Sequence, residues 1–194
     1  MLDLNNADQQ RQFELIPNKT IVPVIMSIRP GGHGETGELT LSKSSDAVYV
    51  SAEFTVISGL YQNRKIFDNI GIGGGKCDDA GNSIYGNMGR TRMRAILEAA
   101  RNIKPDDFSQ EAVKKRQIDC YSDFNGMAFL AEIRISKGKD GYEDKNSIKQ
   151  IITPDHKLYQ KIDADGYIPP QNDYVPVQTV GTSAGPVSTP DWAK

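Results

Sequence analysis

Between residues 49 and 57 hydrophobic and polar positions alternate one for one. Val50, Ala52, Phe54 and Val56 fall on one face, and Tyr49, Ser51, Glu53 and Thr55 on the other. A period of two belongs to a strand with one buried and one open face, so Tyr49 is expected on the polar side. A turn over 59–64 separates this run from a second β-rich run, 65–72. There Lys65, Phe67 and Asn69 share a face opposite Ile66, Asp68 and Ile70, and the pattern does not say which face is buried. Upstream, 20–29 (TIVPVIMSIR) is β-rich, with Pro23 suggesting an edge or a bulge. Residues up to about Pro17 read as an arm or short lead-in strand, and 30–38 (PGGHGETGE) as a flexible loop.

Downstream the period changes. After a turn-rich stretch, 78–87, the run 88–103 predicts a helix whose apolar stripe is Met93, Ile96, Leu97 and Ala100. A short second helix is expected over 109–116. Strands follow at 128–135, with Phe129, Ala131, Ile133 and Ile135 on one face, and at 146–152, joined by the turn GKDGYED. Beyond 159 the chain is rich in Pro, Gly, Asp and Thr and predicts a disordered tail. The order is three strands, a helix and two strands. It predicts a mainly β fold: a five-stranded oligonucleotide/oligosaccharide-binding barrel (OB-fold) with a helix between strands 3 and 4. The domain would cover 1–158 and the tail 159–194. Such barrels bind ligands on an open sheet face and in loops.

Composition limits the options. The 194 residues are 38% hydrophobic and carry a net charge of -2, so no overall basic footprint supports nucleic-acid binding. Charge is uneven, however. Residues 88–116 hold eight basic side chains, among them Arg90, Arg92 and Arg94, against four acidic ones. A local patch can attract phosphate, because charges beyond a Debye length of about 8 Å are screened. Arginines in the first turns of a helix oppose its dipole, so stability alone does not account for them. Cys77 and Cys120 have no metal-type spacing and read as free thiols in a reducing compartment. The N-terminal MLDLNNADQQRQFELIP is too polar for a signal peptide, and no apolar run approaches the ~18 residues of a membrane span. The expected location is the cytoplasm.

The glycine-rich stretch 71–76 (GIGGGK) resembles a phosphate-binding loop but lacks its spacing. The lysine comes one residue early, Cys77 stands where Ser or Thr is required, and no helix follows directly. It reads as a flexible loop in which Lys76 can neutralise a backbone phosphate. No catalytic pairing is visible around His33 or His156. Adjacent acids such as Asp78–Asp79 are usually solvated or capping residues. No catalytic residue, metal or cofactor is expected.

Aromatic and basic residues together are what single-strand binding needs, since bases stack on rings at ~1–3 kcal/mol each and cations follow the backbone. Candidates on the central hairpin are Tyr49, Tyr61, Arg64, Lys65 and Phe67. Those on the last hairpin are Lys137, Lys139, Tyr142 and Lys145. Taken singly, Phe67 reads as core more readily than as a stacking platform, and Lys137 and Lys139 as solubilising a turn. The lone tryptophan, Trp192, stands near the end of the polar tail and suits a partner-docking role.

The segment SAEFTVISGLYQNRKIFDNI resembles one found in a phage-encoded family long labelled a domain of unknown function. Softer resemblance extends over RAILEAARNIKPDD, DFNGMAFLAEIRISKGKDGYEDKNSIKQIITPDH and a polar tail ending in Trp. Asn63 replaces the family's usual turn glycine, and Asn tolerates the same backbone. The resemblance implies an OB-fold and a non-catalytic, largely sequence-independent single-stranded DNA-binding protein of phage replication or recombination. The tail would recruit a partner protein or shield the groove, and self-association is compatible with it. Two other readings stay open: an interaction module serving a recombinase or nuclease without touching DNA, and a nucleotide-binding enzyme built on 71–76.

Overall fold

The alternation at 49–57 is realised as strand β3, Val48–Val56, with Val50, Ala52, Phe54 and Val56 fully buried. In the computed structural model, which describes residues 5–6, 14–139 and 141–163, β3 is the hub of an antiparallel six-stranded sheet. β1 (Ile21–Arg29) pairs along one part of β3, and the two-residue β2 (Thr40–Leu41) pairs with Val48 and Tyr49. β4 (Lys65–Gly73) forms a hairpin with β3. β5 (Ala128–Ser136) pairs with β1, and β6 (Lys145–Ile151) with β5. The five long strands match the sequence reading to within one or two residues at each end. β2 is an addition too short to show a period. Among the described residues no backbone ladder joins β4 to β6, so the sheet is not closed by hydrogen bonds.

Helix α1 spans Ile84–Ala100, four residues earlier than predicted, because Ser83 caps it by accepting the Gly86 amide at 2.9 Å. Met93, Ile96 and Leu97 pack into the core, while Ala99 rather than Ala100 completes the buried stripe. Phe54 and Phe129 meet edge-to-face at 6.0 Å between centroids. Ile16, assigned to the lead-in arm, is fully buried. Its amide donates to Asn146 Oδ1 at 2.9 Å and its carbonyl accepts from Asn146 Nδ2 at 2.8 Å. A side chain thus replaces a missing ladder rung. No helix among the described residues is long and apolar enough to cross a membrane.

The glycine-rich stretch differs from the expected flexible loop. Gly71 and Gly73 belong to β4, and glycines let α1 cross the end of that strand at very short range. A Cβ on Gly89 would lie 1.7 Å from the Gly71 carbonyl oxygen, and one on Gly86 2.6 Å from that of Ile72. Only Gly74 and Gly75, at φ of 71° and 73°, form a turn.

α2 (Gln110–Lys115) is the second predicted helix, capped by Ser109. The segment leading to it is held by Glu98, whose buried carboxylate accepts Arg94 Nε and Arg116 Nε, both at 2.8 Å. Arg116 also donates to the carbonyls of Lys104 and Asp107, and Arg94 to that of Pro105. We predict that Glu98→Ala lowers unfolding free energy by about 3 kcal/mol in urea titration. That is the low end for breaking a buried ion pair, because Arg94 is half exposed.

Candidate nucleic-acid interface

Strand register decides which side chains share the outer face of β1, β3 and β4. Ser27, Glu53 and Phe67 form one row across the sheet, and Arg29, Ser51 and Asn69 the next. Because Phe54 pairs with Ile66, the Ile66 side of β4 faces the core and Phe67 points outward. Its ring is 46% exposed. The guanidinium carbon of Arg29 lies 5.4 Å from its centroid, in cation–π range. Beside it, Lys65 Nζ contacts Glu53 Oε1 at 2.8 Å, with Glu53 buried. The polar side of β3 is therefore not uniformly open, since Glu53 and Thr55 are covered. Tyr49 lies at the far end of the same face, half-buried and opposite Gly71. An apolar plane, a guanidinium and an ammonium together suit a flat, apolar-faced and negatively charged ligand.

The other candidates fall elsewhere. Tyr61 packs against the core, and Arg64 Nη2 donates to the Glu14 carbonyl at 2.6 Å, tying the β3–β4 turn to the lead-in arm. Asn63 takes the left-handed conformation of that turn, at φ of 65°. Lys76 is exposed just before α1. On α1, Arg90 donates to Asn87 Oδ1. Arg92 reaches Asp68 on β4 at 2.9 Å and the Ile148 carbonyl on β6 at 3.1 Å, bridging the two end strands. Arg94 serves Glu98. Because α1 begins at Ile84, these arginines lie beyond its first turn and do not oppose the dipole as the sequence reading expected. Their partners are on α1 itself for Arg90, on β4 and β6 for Arg92, and on α1 and at Pro105 for Arg94.

On the β5–β6 hairpin, Lys137 Nζ meets Asp144 Oδ2 at 2.7 Å. Hydrogen bonds from Lys137 and then from the Gly138 amide hold the Asp144 carboxyl below its usual range. Lys139 and Lys145 are exposed, and Tyr142 is 81% exposed. The structure therefore forms two groups. Tyr49, Lys65 and Phe67 share one sheet face, whereas Lys137, Lys139, Tyr142 and Lys145 share one hairpin. Trp192 lies outside the described residues. Arg29 and Tyr85, both on the outer face, were missed by the sequence reading. Arg29 requires the register of three strands, and Tyr85 sat in what read as a turn.

The loop between β1 and β2 is tied down by Glu38. Its carboxylate accepts Thr36 Oγ1 at 2.7 Å and the amides of Ser122 and Tyr121 at 2.7 and 3.3 Å, in the 3-10 turn Tyr121–Phe124. The hydrogen bond involving Ser122 is the largest influence holding this carboxyl below the usual glutamate value of 4.5. A lowered folded value means the stabilisation is complete above about pH 4.5 and disappears as pH falls through that folded value. We expect the protection factor of the Ser122 amide, taken against the intrinsic exchange rate at each pH, to fall as pH drops below 4.5, and Glu38→Gln to abolish that fall.

Cys77 and Cys120 are free. Among the described residues no group of three or more His, Cys, Asp or Glu is placed to hold a metal ion. Compared with known proteins, the chain matches no family model and no curated protein.

Proposed function

We propose that this protein is a non-catalytic, largely sequence-independent single-stranded DNA-binding protein on an OB-type barrel, acting in phage DNA replication or recombination. One observation carries the reading: an exposed Phe67 roofed by Arg29 on an outer sheet face, with Lys65 alongside. A ring with a guanidinium over it offers base stacking and phosphate neutralisation at one place. The barrel reading draws support from the strand order β4-β3-β1-β5-β6, the helix between β4 and β5, and Arg92 spanning the gap between β4 and β6. The β5–β6 hairpin, with Lys139, Tyr142 and Lys145, supplies a loop contact of the kind such barrels use. A replication or recombination protein is the partner assigned to the tail.

The test is fluorescence anisotropy of a labelled ~30-nucleotide oligo(dT) against a matching duplex over a salt series. Submicromolar single-strand binding that weakens with salt and exceeds duplex binding supports the reading. The net charge of -2 and the internal partners of Arg92 and Arg94 favour a second reading, a protein-docking module without DNA affinity. That reading predicts no binding even at low salt.

A further inference from the structure

The outer face does not end at Phe67. Four residues along β4, Gly71 has no side chain, and the ring of Tyr85 fills the space. A Cβ on Gly71 would lie 2.4 Å from the Tyr85 carbonyl oxygen and 2.7 Å from Cγ and Cδ1 of its ring. The β3 residue opposite Gly71 is Tyr49, whose side chain projects to the same face. The Tyr85 hydroxyl donates to the Asn69 carbonyl at 3.3 Å, which fixes the ring against the strand. Tyr85 comes from the first turn of α1, where the Ser83 cap and the glycine crossing hold the helix against β4. The ring is therefore fixed by backbone packing, while both tyrosines remain partly exposed.

Resting on the single-strand reading above, we propose that Tyr85 with Tyr49 forms a second stacking platform for a nucleobase, engaging the same strand as Phe67. Four residues of β-strand separate the platforms by ~14 Å. Neighbouring stacked bases lie only ~3.4 Å apart, so the two bases held are not adjacent nucleotides. Between them the strand passes Asn69 and Ser51, polar groups that any base can contact. Burial, and then the charges of Asp68 and Tyr49, push the Tyr85 hydroxyl above its usual value. The Tyr85 hydroxyl thus keeps its proton beside phosphates throughout the neutral range.

The test uses the full chain with labelled ~12-nucleotide oligo(dT). Tyr85→Leu keeps apolar cover on Gly71 but removes the aromatic plane, and Tyr85→Phe restores the plane without the hydroxyl. Expected is a loss of about tenfold in affinity for Y85L, substantial recovery in Y85F, and the same factor for Y85L in a Phe67→Ala background. Wild-type affinity in Y85L would overturn the proposal and leave Tyr85 as packing alone. Should Y85L prove unfolded by thermal melting, photocrosslinking of wild type to a 5-iodouracil oligonucleotide decides. Adducts at Tyr85 or Tyr49 support the platform, and adducts confined to other positions overturn it. Absence of single-strand binding by the wild type would instead remove the parent reading, and is seen in the same titration.

Discussion

Phe67→Ala is expected to weaken single-strand binding by about tenfold, and up to a hundredfold, with little change in melting temperature. The magnitude follows from the ~1–3 kcal/mol that a stacked base contributes. The small stability cost follows from exposure: the ring is 46% accessible and stands on the face opposite Ile66 and Ile70. Truncation also leaves Arg29 without its aromatic support, so the loss should exceed that for a lysine contacting phosphate alone. Phe67→Leu separates the contributions, keeping apolar bulk without a plane, and should fall between wild type and alanine. Anisotropy titration with oligo(dT), alongside thermal melting of each variant, reads both effects. A drop in melting temperature with unchanged affinity would place Phe67 among packing residues.

Gly89→Ala is expected to lower stability by about 3 kcal/mol, although alanine is the better helix former by ~1 kcal/mol. The added Cβ would lie 1.7 Å from the Gly71 oxygen, 2.7 Å from its carbonyl carbon and 2.9 Å from its nitrogen. All three are backbone atoms, so no rotamer change relieves the clash. Either α1 lifts from β4 or the strand end bends. Lifting α1 would also strain the bridge from Arg92 to Asp68 and Ile148, and so loosen β4 from β6. Urea unfolding of wild type and variant measures the difference. In a domain of this size it corresponds to a melting-point drop of roughly 10 °C. A neutral or stabilising result would mean that α1 does not cross β4 this closely. Tyr85 rides on the same crossing, so Gly89→Ala should also reduce single-strand affinity.

Strand β3 was legible because its period of two survives with a hydrophobic residue at every inward position. β4 was legible as a strand but not as to its faces: Ile-Asp-Ile and Lys-Phe-Asn are each mixed. The pairing of Phe54 with Ile66 resolves this, and only register reveals it. The same register turns Phe67 outward and brings Arg29 over it from β1, 38 positions earlier. The start of α1 was hidden in a turn-rich stretch that includes Gly86, which disfavours a helix locally yet, like Gly89, is required where the helix crosses β4. The arginines of α1 misled for a related reason. Local sequence shows a cluster of positive charge, whereas the partners of Arg92 lie on β4 and β6, far away in the chain. Ile16 gave no sign of burial because its rung is completed by Asn146, 130 residues on.

Whether a strand of DNA lies on Phe67 is read most directly by fluorine NMR of fluorophenylalanine-labelled protein. The chain has six phenylalanines, and loss of a resonance in Phe67→Leu identifies the one that matters. On adding oligo(dT), the Phe67 resonance should shift to saturation while those of the buried Phe54, Phe124 and Phe129 stay in place. Matching duplex should leave all of them nearly unmoved. A Phe67 resonance that stays fixed while the oligonucleotide binds would remove Phe67 from the interface and move the interface elsewhere on the protein.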